Sequence, residues 1–374
     1  MKNKWLISSI VVAVVLVIGI VILQQMNKPE KTVATFEQAV EQKKPNLLHG
    51  LIISDNKKAA VNDASLNALI SFLKANNDSM QAIKEGLNKQ IKDKDFTTSN
   101  QQISLVKDEK KWGFFTSYKL KVKTVKIKVT GQNEDDQINL SIQSLNKPLE
   151  KNKDALYGPV LPGTYQFVTT ITNQLGTFMK KEKKEVWGST NVSLLVDDSK
   201  LARNDKKIQK DITKALDKFN SDLPVVETSG FDTNKFTNVT EALKQASMLE
   251  KEDFDVIKKY INEMQAQYLG AVVNIDELSI NYFDNQWKAD IQAFVSYNNK
   301  IKYSGQKSYK DVSYKSIRQY SLKYEPDRKK WMIDKVHDTE ADGTEPDDWK
   351  VKVDMKIDNP PVMKWMRTKK KEAL

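Results

Sequence analysis

Apolar residues between positions 30 and 100 recur at helical spacing. They form three stripes: Phe36, Ala39 and Val40; Leu66, Leu69, Ile70 and Leu73; and Met80, Ile83, Leu87 and Ile91. Positions i, i+3, i+4 and i+7 lie on one face of a helix. Asn62 or Asp63 is placed to cap the second helix. Residues 30–100 therefore predict a small helical domain whose stripes face its core.

Between residues 101 and 198 the spacing of apolar residues changes to two. The alternating sets are Leu120 and Val122; Val125, Ile127 and Val129; Ile138, Leu140 and Ile142; Tyr165, Phe167 and Thr169; and Val192, Leu194 and Val196. The alternation changes phase at Thr124, which predicts a bulge or bend. The segment predicts a small antiparallel β domain with polar outer faces.

Residues 200–374 return to helical spacing before a second run of strands. One stripe comprises Ile208, Ile212, Ala215, Leu216 and Phe219, and a second comprises Phe254, Ile257, Ile261, Met264 and Tyr268. Pro224 is predicted to end the first helix, and Gly270 the second. Strands are predicted at 278–283, 291–297, 320–324 and 331–336, with a turn at 325–328. Helices followed by an antiparallel sheet indicate an α+β domain.

One segment near the N-terminus is apolar on all sides. Residues 5–23 carry no charge and consist mostly of Val, Ile and Leu. A helix of this length spans the ~30 Å hydrocarbon core of a bilayer. Lys2 and Lys4 precede it, and no small-residue cleavage site follows it. We expect a single-pass anchor with residues 1–4 as a cytoplasmic stub and the remaining domains outside.

Composition excludes several kinds of chemistry. The 374 residues contain no cysteine and two histidines, so thiolate sites, disulfides and histidine-based catalysis or metal binding are not expected. We therefore expect a non-enzymatic protein without a cofactor or a metal. The net charge of +11 arises from 60 basic and 49 acidic residues. It favours either an anionic partner or simple solubility, and we expect no nucleic acid.

Two stretches resemble a known family. Leu156-Tyr-Gly-Pro-Val-Leu-Pro-Gly-Thr-Tyr-Gln-Phe167, preceded by Val106–Leu120, is similar to the first extracellular β domain of the teicoplanin-resistance-associated membrane proteins TcaA and YvbJ of Gram-positive bacteria. Segments 287–294 and 320–331 resemble that family's last domain. The resemblance implies a β domain of the immunoglobulin or PEGA-like type, and a C-terminal cone-shaped domain of the nuclear transport factor 2 type. Members commonly begin with a four-cysteine zinc ribbon, which this sequence lacks.

Two candidate recognition features stand out in the β domain. Lys119, Lys121, Lys123, Lys126 and Lys128 alternate with the apolar positions and could contact an anionic polymer or lipid headgroups. The alternative is a solvated strand face whose lysines prevent edge pairing. The family motif loop comprises Gly158, Pro159, Leu161, Pro162, Gly163 and Tyr165. It either sets the entry of a strand or faces a ligand.

The C-terminal zone offers two further hypotheses. Asp338-Thr-Glu-Ala-Asp-Gly343 begins like a calcium loop, but Trp349 stands where a bidentate Glu is needed, so an acidic turn is favoured. The strands of this zone are rich in Tyr and Trp. These side chains either line a ligand pocket or pack the helices against the sheet.

These features together predict a membrane-anchored extracytoplasmic protein of the bacterial cell envelope that binds or senses a wall component or a partner protein. The resemblance implies a link to wall stress or glycopeptide susceptibility. The alternative function is a scaffold that recruits other membrane or wall-synthesis proteins.

Overall fold

The computed structural model of the protein describes residues 28–97, 100–108, 116–145, 147–188 and 191–368. The chain forms two compact units. Unit 1 comprises the chain up to Thr172 together with Met179–Val196, and unit 2 comprises Asn173–Phe178 and the chain from Asp197 onward.

Unit 1 begins with a helical layer. Its helices are α1 (Pro29–Gln42), α2 (Asp63–Ala75) and α3 (Asn77–Asp93), with a 3-10 turn at Pro45–Leu48. Asn62 caps α2: its side chain accepts a hydrogen bond from the Ser65 amide, and Ser65 Oγ accepts one from the Asn62 amide. Phe36, Leu66 and Leu69 are fully buried, so the predicted stripes do form the core of this layer.

A three-stranded sheet packs on these helices. Its strands are β1 (Ile52–Ser54), β2 (Ile103–Asp108) and β3 (Ser117–Val122), in the order β1-β3-β2. β1 runs parallel to β3, with Ile52 opposite Leu120. The boundary placed at residue 100 from sequence thus separates β2 and β3 from the helices that they cover. Periodicity reveals a strand but not its partner.

The rest of unit 1 consists of two further three-stranded sheets. Their strands are β4 (Val125–Thr130), β5 (Gln137–Ile142), β6 (Leu156–Val160), β7 (Gly163–Asn173), β8 (Gly176–Val186) and β9 (Asn191–Leu195). The orders are β6-β4-β9 and β5-β7-β8. The expectation of a purely antiparallel domain is wrong at β9, which runs parallel to β4. The phase change at Thr124 is the passage from one sheet to another rather than a bulge.

Unit 2 begins with helices, and Pro224 lies inside one of them. The helices are α4 (Asp198–Asn204), α5 (Lys206–Thr228), α6 (Glu241–Ala246) and α7 (Met248–Ile257). Asp205 caps α5 through bonds from the amides of Lys207 and Ile208. The prediction that Pro224 ends this helix is wrong, because α5 continues to Thr228. A proline removes one helical hydrogen bond and ends a helix only where nothing compensates for that loss.

The second predicted helical stripe is also wrong beyond Ile257. α7 ends there, and Ile261, Met264 and Tyr268 lie in strands. Their spacing of three and four residues is compatible with a helix, but tertiary pairing determines the outcome here. Gly270 lies within a strand at a register shift, where a Cβ would meet the Met355 carbonyl oxygen at 2.5 Å.

Two sheets complete unit 2. The strands are β10 (Ile261–Ala266), β11 (Tyr268–Phe283), β12 (Gln286–Tyr297), β13 (Lys300–Tyr303), β14 (Lys310–Asp311), β15 (Tyr314–Glu325), β16 (Lys330–Glu340), β17 (Lys352–Lys356) and β18 (Met363–Met366). The five-stranded sheet has the order β16-β15-β12-β11-β17 and the four-stranded sheet β14-β13-β10-β18. α5 packs on the inner face of the larger sheet, where Trp287, Tyr297 and Tyr320 are buried.

The predicted anchor at residues 5–23 lies outside the described part of the chain. Within residues 28–368, apart from the gaps given above, no helix is long and apolar enough to cross a membrane.

The Gly163→Ala substitution tests the packing of the motif loop on α2. A Cβ at Gly163 would lie 2.6 Å from the Ala68 carbonyl carbon and 2.7 Å from the Leu69 amide nitrogen. We expect unit 1 to lose about 1–3 kcal/mol of unfolding free energy, because two backbones must separate. Urea unfolding of the full-length chain in detergent micelles measures this loss.

Gly86→Ala is the matched control. Its Cβ would meet only the end of the Gln101 side chain, which can move, and alanine is the better helix former. We expect Gly86→Ala to change the unfolding free energy by less than about 1 kcal/mol. Equal effects of the two substitutions would contradict the close contact at Gly163.

Candidate functional site

The five lysines predicted to contact an anion do not form one continuous row. Lys119 and Lys121 lie on β3, Lys126 and Lys128 on β4, and Lys123 between these strands. β3 and β4 are the central strands of two different sheets, so blocking of edge pairing is not the role of these lysines. The Lys119 ammonium lies 2.7 Å from the Asp108 carboxylate. Contact with an anion stays a prediction for these residues.

The motif loop lines a cavity of about 480 Å³ in unit 1. Gly158, Pro159, Leu161 and Tyr165 contribute to its wall. The Tyr165 hydroxyl donates to the Leu161 carbonyl oxygen at 2.9 Å, which fixes the loop. Pro162 precedes β7 and Gly163 opens it. The loop therefore sets the entry of β7, which was one of the two roles predicted, and borders a cavity. Contact with a ligand stays a prediction.

Asn220 lies at the centre of a buried polar network in unit 2. It stands four residues before Pro224, so its carbonyl oxygen receives no bond from a residue 224 amide. The Tyr297 hydroxyl approaches this oxygen at 3.2 Å and the Asn220 side-chain oxygen at 3.0 Å. The Tyr320 hydroxyl also donates to that side-chain oxygen, at 2.9 Å. The network thus compensates for the proline inside α5.

Arg318 joins this network to the surface. Its Nε and Nη2 contact the two Asp338 carboxylate oxygens at 2.7 and 3.0 Å. Its Nη1 contacts Asn220 Oδ1 at 2.9 Å and Tyr297 Oη at 3.2 Å, and Nη2 also approaches Tyr314 Oη at 3.4 Å. A guanidinium has five N–H groups, and all five find an acceptor here. Arg318 therefore has no free donor for an anionic ligand.

A cavity of about 720 Å³ opens beside this network, where β12 and β16 end and β15 begins. Tyr297 and Tyr314 are stacked, with ring centroids 5.0 Å apart. Their neighbours in the lining are Ser316, Asp338, Glu340 and, on the outer side, Lys315. The volume lies within the range typical of small-molecule sites. The aromatic strands thus provide a pocket as well as a packing surface.

Two further carboxyl groups lie within electrostatic range of Arg318. Burial raises the pKa of Glu227 to about 7; the Arg318 charge and a hydrogen bond from Asn299 oppose this rise, and Glu250 adds to it. Partial burial likewise raises the pKa of Glu250, opposed by Arg318 and reinforced by Asp338. Glu227 therefore changes charge close to neutral pH, as acids at functional sites often do.

Sequence reasoning missed Asn220, Glu227, Arg318 and the pairing of Asp338. Asp338 contacts Arg318 instead of heading a calcium loop. Across the described ranges, no group of three or more His, Asp or Glu side chains is placed to hold a metal ion. The sequence did contain one signal for Arg318. It stands two residues before Tyr320, so both side chains lie on the same face of a strand, among apolar positions.

Comparison with known protein families gives two matches. The YvbJ NTF2-like domain matches residues 212–337, and the second domain of the TcaA protein matches residues 29–122. The chain belongs to the TcaA/YvbJ-like family. A comparison with curated protein sequences finds no match.

The matched ranges agree with the architecture of this TcaA/YvbJ-like protein. The TcaA match ends at Val122, the last residue of β3, and includes both the helices and the sheet that covers them. The YvbJ match includes Asn220, Tyr297 and Arg318 and stops one residue before Asp338. The motif loop at 158–165 lies outside both ranges.

Replacing Arg318 with leucine tests the role of the network in stability. Arg318→Leu leaves Asp338 and two tyrosine hydroxyls without their donor, but Asp338 is 45% exposed and can be hydrated. We expect unit 2 to lose about 2–4 kcal/mol in urea unfolding of the detergent-solubilised full chain.

Arg328→Leu is the control for this substitution. The Arg328 side chain is 66% exposed and lies 3.4 Å from Glu325, so its loss should cost about 0.5 kcal/mol or less. A similar small loss for Arg318→Leu would show that the buried network does not stabilise the unit.

Glu227 predicts a dependence of stability on pH. Because its pKa is about 7 in the folded chain and near 4.5 when unfolded, the folded state holds the proton more tightly. The stabilisation is present in full below pH 4.5 and is lost as pH rises through 7, by at most about 3 kcal/mol. The Glu227→Gln chain, which stays neutral, should lose this part of the dependence. Thermal unfolding between pH 5 and 8 measures it, and identical pH profiles for both chains would contradict the assignment.

Proposed function

We propose that this TcaA/YvbJ-like protein is a membrane-anchored, extracytoplasmic and non-catalytic binding protein of the bacterial cell envelope. It is held by residues 5–23, with its N-terminus inside, and binds or senses a wall component in connection with wall stress or glycopeptide susceptibility. The cavity above Tyr297 and Tyr314 in the NTF2-like domain is the observation that carries this proposal. It combines a small-molecule volume, the faces of two tyrosine rings and the carboxyl groups of Asp338 and Glu340.

The lysines of β3 and β4 support a second contact within the same function. Lys126 and Lys128 alternate with buried residues and share one face of β4. An anionic wall polymer or the headgroups of the bilayer could lie along such a face, at about 1 kcal/mol for each ammonium near an anionic surface. This contact should weaken as salt is raised, whereas binding in the cavity should depend on the tyrosines.

Co-sedimentation with purified cell walls tests the proposal. We expect the full-length chain in nanodiscs to sediment with the walls at low salt. Tyr314→Ala should reduce the bound fraction about tenfold if the cavity holds the ligand, and Tyr314→Phe should preserve binding. The double variant Lys126→Gln with Lys128→Gln measures the polymer contact separately. No sedimentation of the wild-type chain at any salt concentration would refute binding to the wall.

The scaffold alternative rests on α7 and the turn after it. Met248, Leu249, Val256, Ile257 and Tyr260 are between 49% and 67% exposed, and Phe254 is the one buried residue of α7. Exposed apolar side chains in such a group are typical of protein contact surfaces. A photo-crosslinker at Val256 that captures one protein in stoichiometric amount, without any wall binding, would favour the scaffold.

A further inference from the structure

The cavity in unit 2 presents more negative than positive charge. The Arg318 guanidinium and the Asp338 carboxylate compensate each other. Lys315 contributes one ammonium, whose Nζ approaches the Asp342 carbonyl oxygen at 3.4 Å. Glu340 lies in the lining, and Glu227 and Glu250 lie near Arg318. Two carboxylates, Asp338 and Glu340, and one ammonium, Lys315, thus lie in the lining, and Glu227 and Glu250 add negative charge near Arg318.

The hydrogen-bonding groups point to the same class of ligand. Every N–H of Arg318 is engaged within the protein, so an anion would have to displace Asp338 from a bidentate pair. The exposed side of Asp338 and the carboxylate of Glu340 accept hydrogen bonds and do not donate them when ionised. A ligand with a positively charged hydrogen-bond donor needs no free donor from Arg318 and can bond to the carboxylate acceptors.

The tyrosine faces add a further attraction. Tyr297 and Tyr314 are stacked, and burial raises the pKa of both phenols, so both rings are neutral at physiological pH. The face of a neutral aromatic ring attracts a cation within about 6 Å of its centroid. Arg318 already lies 5.3 Å from the Tyr297 centroid. This leaves Tyr314, which is only partly buried, as the ring available to a ligand.

We propose that the cavity binds an organic cation, the ammonium of a small amine or of a lysine side chain in a peptide. The cation lies against Tyr314, with the carboxylate of Glu340 as its counter-charge and the exposed side of Asp338 as a further hydrogen-bond acceptor. This inference rests on the proposed function, because it names the class of ligand for the cavity that carries it.

Paired ligands of equal shape test the charge. The probes are Nα-acetyl-lysine methylamide, its norleucine analogue without the ammonium, butylamine and inorganic phosphate. Saturation-transfer NMR with the full-length chain in nanodiscs measures the affinity of each. We expect the lysine probe to bind at least tenfold more tightly than the norleucine probe, and phosphate not to compete with it. Butylamine binding as tightly as the lysine probe identifies a free amine as the ligand, and weaker binding identifies a peptide side chain.

Two exposed residues of opposite charge provide matched variants. Glu340→Gln should weaken binding of the lysine probe about three- to tenfold, and Lys315→Gln should strengthen it, because each changes one nearby charge. An anionic ligand would reverse both signs and overturn the inference. Tyr314→Leu should weaken binding, while Tyr314→Phe should not.

The pH profile gives a second readout. Three groups act on the Glu227 carboxyl: Arg318 on β15, Asn299 after β12 and Glu250 on α7. Asp338 in turn raises the pKa of Glu250. As Glu227 loses its proton, the affinity for the lysine probe should rise several-fold between pH 6 and 8. Glu227→Gln should flatten this rise.

Failure of this inference can be separated from failure of the proposed function. If the lysine and norleucine probes bind equally and Tyr314→Leu weakens both, the cavity binds ligands but does not select a cation. If no probe binds the chain and Tyr314→Ala leaves wall sedimentation unchanged, the cavity is not the site and this inference fails, while binding to the wall stands. If the wild-type chain does not sediment with the walls but the lysine probe binds, the proposed function fails and the inference about the cavity stands.

Discussion

The hydrogen bonds around Asn220 are the constraint on which unit 2 depends. Pro224 removes an amide from α5, and the Tyr297 hydroxyl approaches the carbonyl that this loss exposes. The side-chain oxygen of Asn220 also accepts hydrogen bonds from Arg318 and Tyr320. Asn220 thereby joins α5, which contains the proline, to the inner face of the five-stranded sheet. Through Arg318 it also joins both to the Asp338 carboxylate at the surface. Buried polar networks of this kind act as a unit, because a missing member leaves others unpaired in a medium of low dielectric constant.

This network also determines what the cavity can recognise. Sequence composition, with its excess of lysine, pointed toward anionic partners. The fold engages the one buried arginine internally, and leaves carboxylates and phenol rings at the cavity. Net charge describes the average surface, whereas recognition depends on the few groups that remain unpaired at one place. The two proposals accordingly place ligands of opposite sign on the lysine-bearing strands of unit 1 and in the cavity of unit 2.

Local pattern predicted much of the fold. The stripe at Leu66–Leu73, the Asn62 cap and the strands around Ile291, Tyr320 and Trp331 all lie as expected, because burial and capping are local properties of these segments. The prediction that α5 ends at Pro224 was wrong, because the distant Tyr297 compensates for the lost hydrogen bond. The prediction of a helix continuing to Tyr268 was wrong, because these residues pair with distant strands. The residues of the site were harder still to predict from the sequence. Arg318, Asn220 and Glu227 come together only through tertiary pairing, and no spacing in the sequence connects them.

The short strand β1 imposes an order on assembly. It lies between α1 and α2, yet its hydrogen-bond partner β3 is synthesised only after α3 is complete. Until Leu120 and Val122 arrive, the three helices lack the sheet that packs on them. A ribosome adds about 5–20 residues per second, so this exposure lasts seconds while helices form in microseconds. Residues 29–122 are therefore a domain whose core closes only when its last strand has been synthesised.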